Sequence, residues 1–220
     1  MNIKQLFFIL FIAVSVFHTG AIFFKKEKLR KISKCFIVPL LLTVYLAGGE
    51  YRYIFMIPAL VLGWLGDVLL IRIDKKTHFI LGLASFLLGH VCYMITFAQI
   101  LGLFGSAVMF NVPSVLIFTA PVILLAMVVF RLIKPTKEMF VPVILYMTVL
   151  VVMNFLGFQV FLFNPGIAGL LILSGCYNFM VSDTILAYYT FRKLKLWGAV
   201  LIMVFYIIAQ AEIVFGLMSL

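Results

Sequence analysis

Apolar residues run through this chain in eight blocks, each ended by a cluster of charges or by Gly, Pro and Asn. Blocks of this length predict helices that cross a bilayer, which takes about 20 residues at a rise of ~1.5 Å each. The predicted spans cover roughly residues 5–24, 35–48, 53–72, 79–103, 114–133, 139–162, 166–190 and 196–218, the second being the shortest. Breaks are expected at Lys25–Lys34, Gly48–Arg52, Arg72–His78, Gly105–Pro113, Lys134–Glu138, Asn164–Gly166 and Arg192–Lys195. No linker is long enough to divide the chain. The expectation is one all-α integral-membrane domain over residues 1–220, a bundle of eight transmembrane helices.

Composition agrees with this pattern. Hydrophobic residues make up 66% of the chain and charged residues 11%, too little polar surface to face water on all sides. A net charge of +10 invites a nucleic-acid reading, but the positions of the charges answer it. Loops one, three, five and seven hold Lys25, Lys26, Lys28, Arg30, Lys31 and Lys34, then Arg72, Lys75 and Lys76, then Arg131, Lys134 and Lys137, then Arg192, Lys193 and Lys195. Only Lys4 and Arg52 of the 17 basic residues are left for the other face. The positive-inside rule makes those loops cytoplasmic and puts both termini outside. No nucleic-acid partner is expected; membrane lipids are. The first span lacks a small-residue cleavage site and runs straight into basic residues, so it reads as an uncleaved helix. A bacterial inner membrane is the default location, and the pattern sets no oligomeric state. Cys35, Cys92 and Cys176 stand singly in apolar segments and read as small buried hydrophobes.

Two acids interrupt the apolar blocks in similar frames, Gly66-Asp67-Val68-Leu69-Leu70 and Ser182-Asp183-Thr184-Ile185-Leu186. A carboxylate within a span costs several kcal/mol unless something pairs with it or uses it. By helical rise Asp67 lies about 7 Å inside the cytoplasmic end, Asp183 about 13 Å, Tyr206 about 16 Å and His90 about 18 Å. Small and polar residues form stripes on four spans: Gly63, Gly66 and Asp67; Gly82, Phe86, Gly89, His90 and Tyr93; Gly175, Asn178, Ser182 and Asp183; Tyr206 and Gln210. One shared polar cavity is the economical explanation. The third and seventh spans share the small-Asp frame, and the fourth and eighth share a Tyr followed by Ala-Gln. Duplication of a four-helix unit would produce this, and so would chance in apolar sequence.

Each residue also has a plain reading. A single buried Asp is served by one Tyr, Asn or His nearby, and His90 alone is a packing residue more often than a catalyst. His18 and His78 read as structural or interfacial. The three His have no ligand spacing, so no metal and no cofactor are expected. Glu212, in the last span, has an open role.

The ordered set Gly66-Asp67-x-x-Leu70, Phe79-x-x-Gly82-x-x-x-Phe86-x-x-Gly89-His90-x-x-Tyr93, Ser182-Asp183-x-x-Leu186-Ala187 and Tyr206-x-x-Ala209-Gln210 resembles the YhhN-like lysoplasmalogenase family. One departure is Ala211-Glu212-Ile213, where an acid stands in place of a common Leu. The resemblance implies a hydrolase of the lysoplasmalogen vinyl ether bond, with a lysophospholipid substrate and Asp67 and Asp183 as catalytic residues. Such a reaction needs one acid to protonate the alkene and one negative charge to steady the oxocarbenium ion, a division of labour known from glycosidases. Two carboxyls close together away from water resist joint ionisation, which suits a pair that shares one proton. In this scheme Asp183 donates the proton and Asp67 stabilises the cation, an assignment open to exchange. His90, Tyr93, Asn178, Ser182, Tyr206 and Gln210 would bind substrate or position water, and Arg72 and Arg192 would hold the lipid phosphate. The competing class is a small proton-coupled transporter, for which paired intramembrane acids are equally natural. Transporter helices are often broken by Gly or Pro near the midplane, whereas Pro39, Pro58, Pro121 and Pro142 are expected toward span ends.

Overall fold

The computed structural model describes residues 2–49, 52–103, 134–192 and 196–220, with 113, 118, 122–124, 127 and 131 in addition. Among them the chain is helical: α1 (Ile3–Phe23), α2 (Glu27–Ala47), α3 (Met56–Leu69) with a 3-10 turn at Leu70–Arg72, α4 (Lys76–Ile100), α5 (Lys137–Phe163), α6 (Ile167–Arg192) and α7 (Leu196–Met218). Five of these, α1, α4, α5, α6 and α7, contain stretches long and apolar enough to cross a membrane, as fits an integral membrane protein. The span expected over 114–133 lies largely outside the described residues, although Phe118 and Val122 within it are helical.

The first break is not the loop its charges suggested. α1 opens on a capping box, with Asn2 accepting from Lys4 N–H at 2.7 Å and Gln5 accepting from Asn2 N–H at 3.0 Å. It closes in a tight turn in which Lys25 takes φ +55°, and α2 begins at Glu27 rather than at residue 35. Lys28, Arg30, Lys31 and Lys34 are therefore helical. These residue types are good helix formers, the Glu27 carboxylate lies 2.7 Å from Arg30 one turn on, and Ser33 and Lys34 at the end of the segment are buried. Lys34 begins the buried stripe Lys34, Ile37, Val38, Leu41, Val44 and Tyr45, spaced as a helix face.

Pro39 also departs from expectation, because it falls inside α2 instead of near an end. A proline has no N–H to donate to the carbonyl four residues earlier. That carbonyl belongs to Cys35, and the Trp64 indole N–H of α3 donates to it at 2.9 Å. The broken rung of one helix is thus repaired by a side chain of the next. α3 is shorter than expected, with Pro58 in its first turn, where the missing N–H costs little.

Two compact units divide the chain, Met1–Thr96 and Phe97–Leu220. In the first, α1 packs on α2 and α2 on α3. α4 approaches α3 closely: a Cβ on Gly89 would lie 3.2 Å from the Ala59 carbonyl, and one on Gly66 would meet the Phe86 ring at 2.6 Å. In the second unit α6 packs against both α5 and α7. There a Cβ on Gly175 would come within 2.6 Å of Ile213 and 3.0 Å of the Ala209 carbonyl, so this contact requires glycine.

Candidate active site

Within the first unit, Asp67 near the end of α3 is almost fully buried and forms an ion pair with Lys34, Nζ to Oδ1 at 3.2 Å. Both groups are held by packing. Lys34 stands at the head of the buried stripe of α2, and Asp67 one turn beyond Gly63, beside the Gly66–Phe86 contact. Next to Lys34, Ser33 meets His18 of α1, with Nδ1 and Oγ 2.8 Å apart. His90 and Tyr93, one turn apart on α4, are both buried as well. Ser85 donates to the Leu62 carbonyl at 2.6 Å, which ties α4 to α3 between Gly82 and Gly89. Arg72 is exposed in the 3-10 turn, in a basic segment with Lys75 and Lys76.

In the second unit α6 divides its polar residues between two neighbours. Asp183 turns toward α5, where the Tyr146 hydroxyl donates to Oδ2 at 2.8 Å. Ser182 and Asn178 turn toward α7. The Ser182 hydroxyl donates to the Ile202 carbonyl at 3.0 Å, and Asn178 Nδ2 donates to Glu212 Oε2 at 2.7 Å. Ser174 completes that cluster by donating to Glu212 Oε1 at 3.0 Å. Gln210 Nε2 donates to the Tyr206 oxygen at 3.2 Å, and the Phe179 ring stands edge-on to Tyr206 with centroids 5.7 Å apart.

The printed hydrogen bonds of the two residues thus go different ways, Asn178 to Glu212 and Asp183 to Tyr146. Five residues apart on a helix, 178 and 183 diverge by about 140°, enough to send them to different neighbours. Glu212 gains a defined setting, accepting from two neutral donors of α6. The Arg192 side chain and residues 193–195 lie outside the described residues, so the phosphate-binding role expected of Arg192 has no geometry to set beside it.

One regularity joins the two units. Lys34 reaches Asp67 from the helix preceding α3, and Tyr146 reaches Asp183 from the helix preceding α6. Each acid thus sits beside a polar side chain of the preceding helix, an ammonium in one unit and a phenol in the other. Among the described residues no three His, Cys, Asp or Glu side chains gather as a metal site needs.

A sequence model of the YhhN family matches residues 29–217, most of the chain. The protein belongs to the YhhN family. That match runs from the first turn of α2 to the last turn of α7, so it takes in both aspartates with Lys34 and Tyr146, and leaves α1 outside. No curated protein and no solved structure gives a significant match.

Sequence reasoning missed Lys34 and Tyr146. The signal for Lys34 was its helical spacing with Ile37, Val38 and Leu41, masked by the surrounding charges. Tyr146 carried no signal beyond being a hydroxyl in an apolar span.

Proposed function

We propose that this YhhN-family protein is a lysoplasmalogenase, a membrane hydrolase that converts a lysoplasmalogen and water to a fatty aldehyde and glycerophosphoethanolamine or glycerophosphocholine. The observation that carries the reading is the pair of buried aspartates, each hydrogen-bonded or ion-paired from the preceding helix, in a chain of this family. The Lys34 ammonium beside Asp67 suits it to the charge-stabilising role. Asp183 is the proton donor, and the Tyr146 phenol orients its carboxyl group.

The steps follow from those roles. Asp183 protonates the alkene carbon remote from oxygen, and the resulting oxocarbenium ion is steadied by the Asp67 carboxylate. Water adds to that cation and returns its proton to Asp183, giving a hemiacetal. Collapse of the hemiacetal breaks the bond between the former vinyl carbon and the glycerol oxygen, releasing aldehyde and alcohol. The reading requires both carboxyls to reach one substrate.

Purified protein given a lysoplasmalogen in D2O should release aldehyde with one deuterium on the carbon next to the carbonyl. Absence of aldehyde, or aldehyde without that label, would reject the reaction. A chelator that abolishes release, with recovery on adding zinc, would move the chemistry to a metal-bound water.

A second reading, a proton-coupled carrier, draws support from Pro39, which interrupts α2 in its interior and leaves a hydrogen bond for Trp64 to supply. Counterflow of a labelled solute in proteoliposomes, with no chemical change, would favour it over the hydrolase.

A further inference from the structure

α1 carries two buried polar side chains that the reaction above does not use. Ser15 and His18 sit three residues apart on one helix face, and His18 is completely buried. The Ser33 hydroxyl directs its single hydrogen to the backbone carbonyls of Leu29 and Arg30, at 2.8 and 3.2 Å. Ser33 must therefore accept from His18 Nδ1, 2.8 Å away. In a neutral imidazole this leaves the lone pair on Nε2. Among the described residues Nε2 has no partner and neither does the Ser15 hydroxyl, although Thr19, Ser33 and Thr43 all turn theirs back onto carbonyls of their own helices. Buried polar atoms are nearly always satisfied. Two such atoms one turn apart mark a place for a ligand.

Its chemistry is constrained. The Nε2 lone pair repels an anion, while the Lys34 and Arg30 charges, both acting on the ring, repel a cation. What fits is a neutral group that donates to Nε2 and accepts from Ser15, which is an alcohol. Building on the lysoplasmalogen reading, we infer that Ser15 and His18 bind the free glycerol hydroxyl of the lysolipid, the group that an acyl chain would block. The location agrees, because His18 meets Ser33 on the same turn of α2 that sends Lys34 to Asp67. In the substrate, the hydroxyl-bearing carbon adjoins the carbon that carries the ether oxygen. Ser15 and His18 precede the region matched by the family, so nothing in that match assigns them.

A bound water would offer the same hydrogen bonds, and a binding experiment separates the two. The probes are a saturated 1-O-alkyl lysophosphatidylethanolamine, which has no vinyl ether to hydrolyse, and its 2-deoxy analogue. Equilibrium binding is followed by tryptophan fluorescence of the full chain in detergent. Wild type should bind the hydroxyl ligand about tenfold more tightly, the worth of one or two net hydrogen bonds. His18→Leu should bind both ligands alike, and Ser15→Ala, too small a change to unfold α1, should reduce the ratio about threefold. A wild type that binds neither ligand or binds both equally overturns the inference, as does a ratio unchanged in Ser15→Ala or in folded His18→Leu, the result expected of a site for water only. Since the ligands are not turned over, the outcome is independent of whether aldehyde is released from a vinyl ether. That assay judges the hydrolase reading separately.

Discussion

Replacing Lys34 by Met separates a structural use of Asp67 from a chemical one. The two charges are 3.2 Å apart, with side chains 11% and 2% exposed. At an effective dielectric constant of about 20 their attraction is roughly 5 kcal/mol, before the cost of desolvating both. Removing the ammonium leaves a buried carboxylate without it, and losses on the order of 3–5 kcal/mol accompany such changes. Lys34→Met should therefore unfold much more readily in reversible denaturation from mixed micelles. Replacing both partners, Lys34→Met with Asp67→Leu, removes the carboxylate as well, and apolar replacement of a whole buried pair is often neutral or stabilising. The double variant should recover wild-type stability within about 1 kcal/mol and still release no aldehyde. If it recovers both stability and activity, Asp67 is only half of a structural ion pair and the catalytic assignment is wrong. A loss below about 1 kcal/mol in Lys34→Met would refute the energetic reasoning, since that is the range of solvent-exposed pairs.

Three further outcomes are expected. Trp64→Phe leaves the Cys35 carbonyl without its donor and should cost about 1–3 kcal/mol; adding Pro39→Ala, which restores a backbone N–H for that carbonyl, should recover much of the loss in a double-mutant cycle. Gly175→Leu, placed where even a Cβ lies 2.6 Å from Ile213, should separate α6 from α7 and cost several kcal/mol, read as a lowered midpoint of denaturation. Tyr146→Phe removes one hydrogen bond to Asp183; denaturation should show a loss of about 1 kcal/mol, and aldehyde release should fall about 10- to 100-fold through kcat with little change in KM.

Much of this fold could be read from hydrophobic blocks because a bilayer allows few solutions: a buried backbone must satisfy itself, so an apolar run of spanning length is a helix. Asp67, Asp183, His90, Tyr93, Ser182, Tyr206 and Gln210 were legible as interior positions for the same reason, since polar residues within such runs must turn inward, and all seven are buried. What failed was the inference from charge to loop. The run from Lys25 to Lys34 looks like a solvated break, yet its periodicity against Ile37, Val38 and Leu41 makes it the first two turns of α2 and hides one lysine among them. The partners of polar residues were not legible at all. Whether Asn178 serves Asp183 or Glu212 depends on which neighbour each helix face meets, and spacing along one helix cannot choose between two neighbours.

The reading stands on Asp67 and Asp183 acting as a unit in one reaction, and single-turnover aldehyde release by wild type, Asp67→Asn, Asp183→Asn and the double variant tests this most directly. Groups that serve one step lose their function together. The account predicts a loss of at least about a thousandfold in each single variant and no further loss in the double. Single variants that keep most of the activity while folded, or losses that multiply in the double, would contradict it.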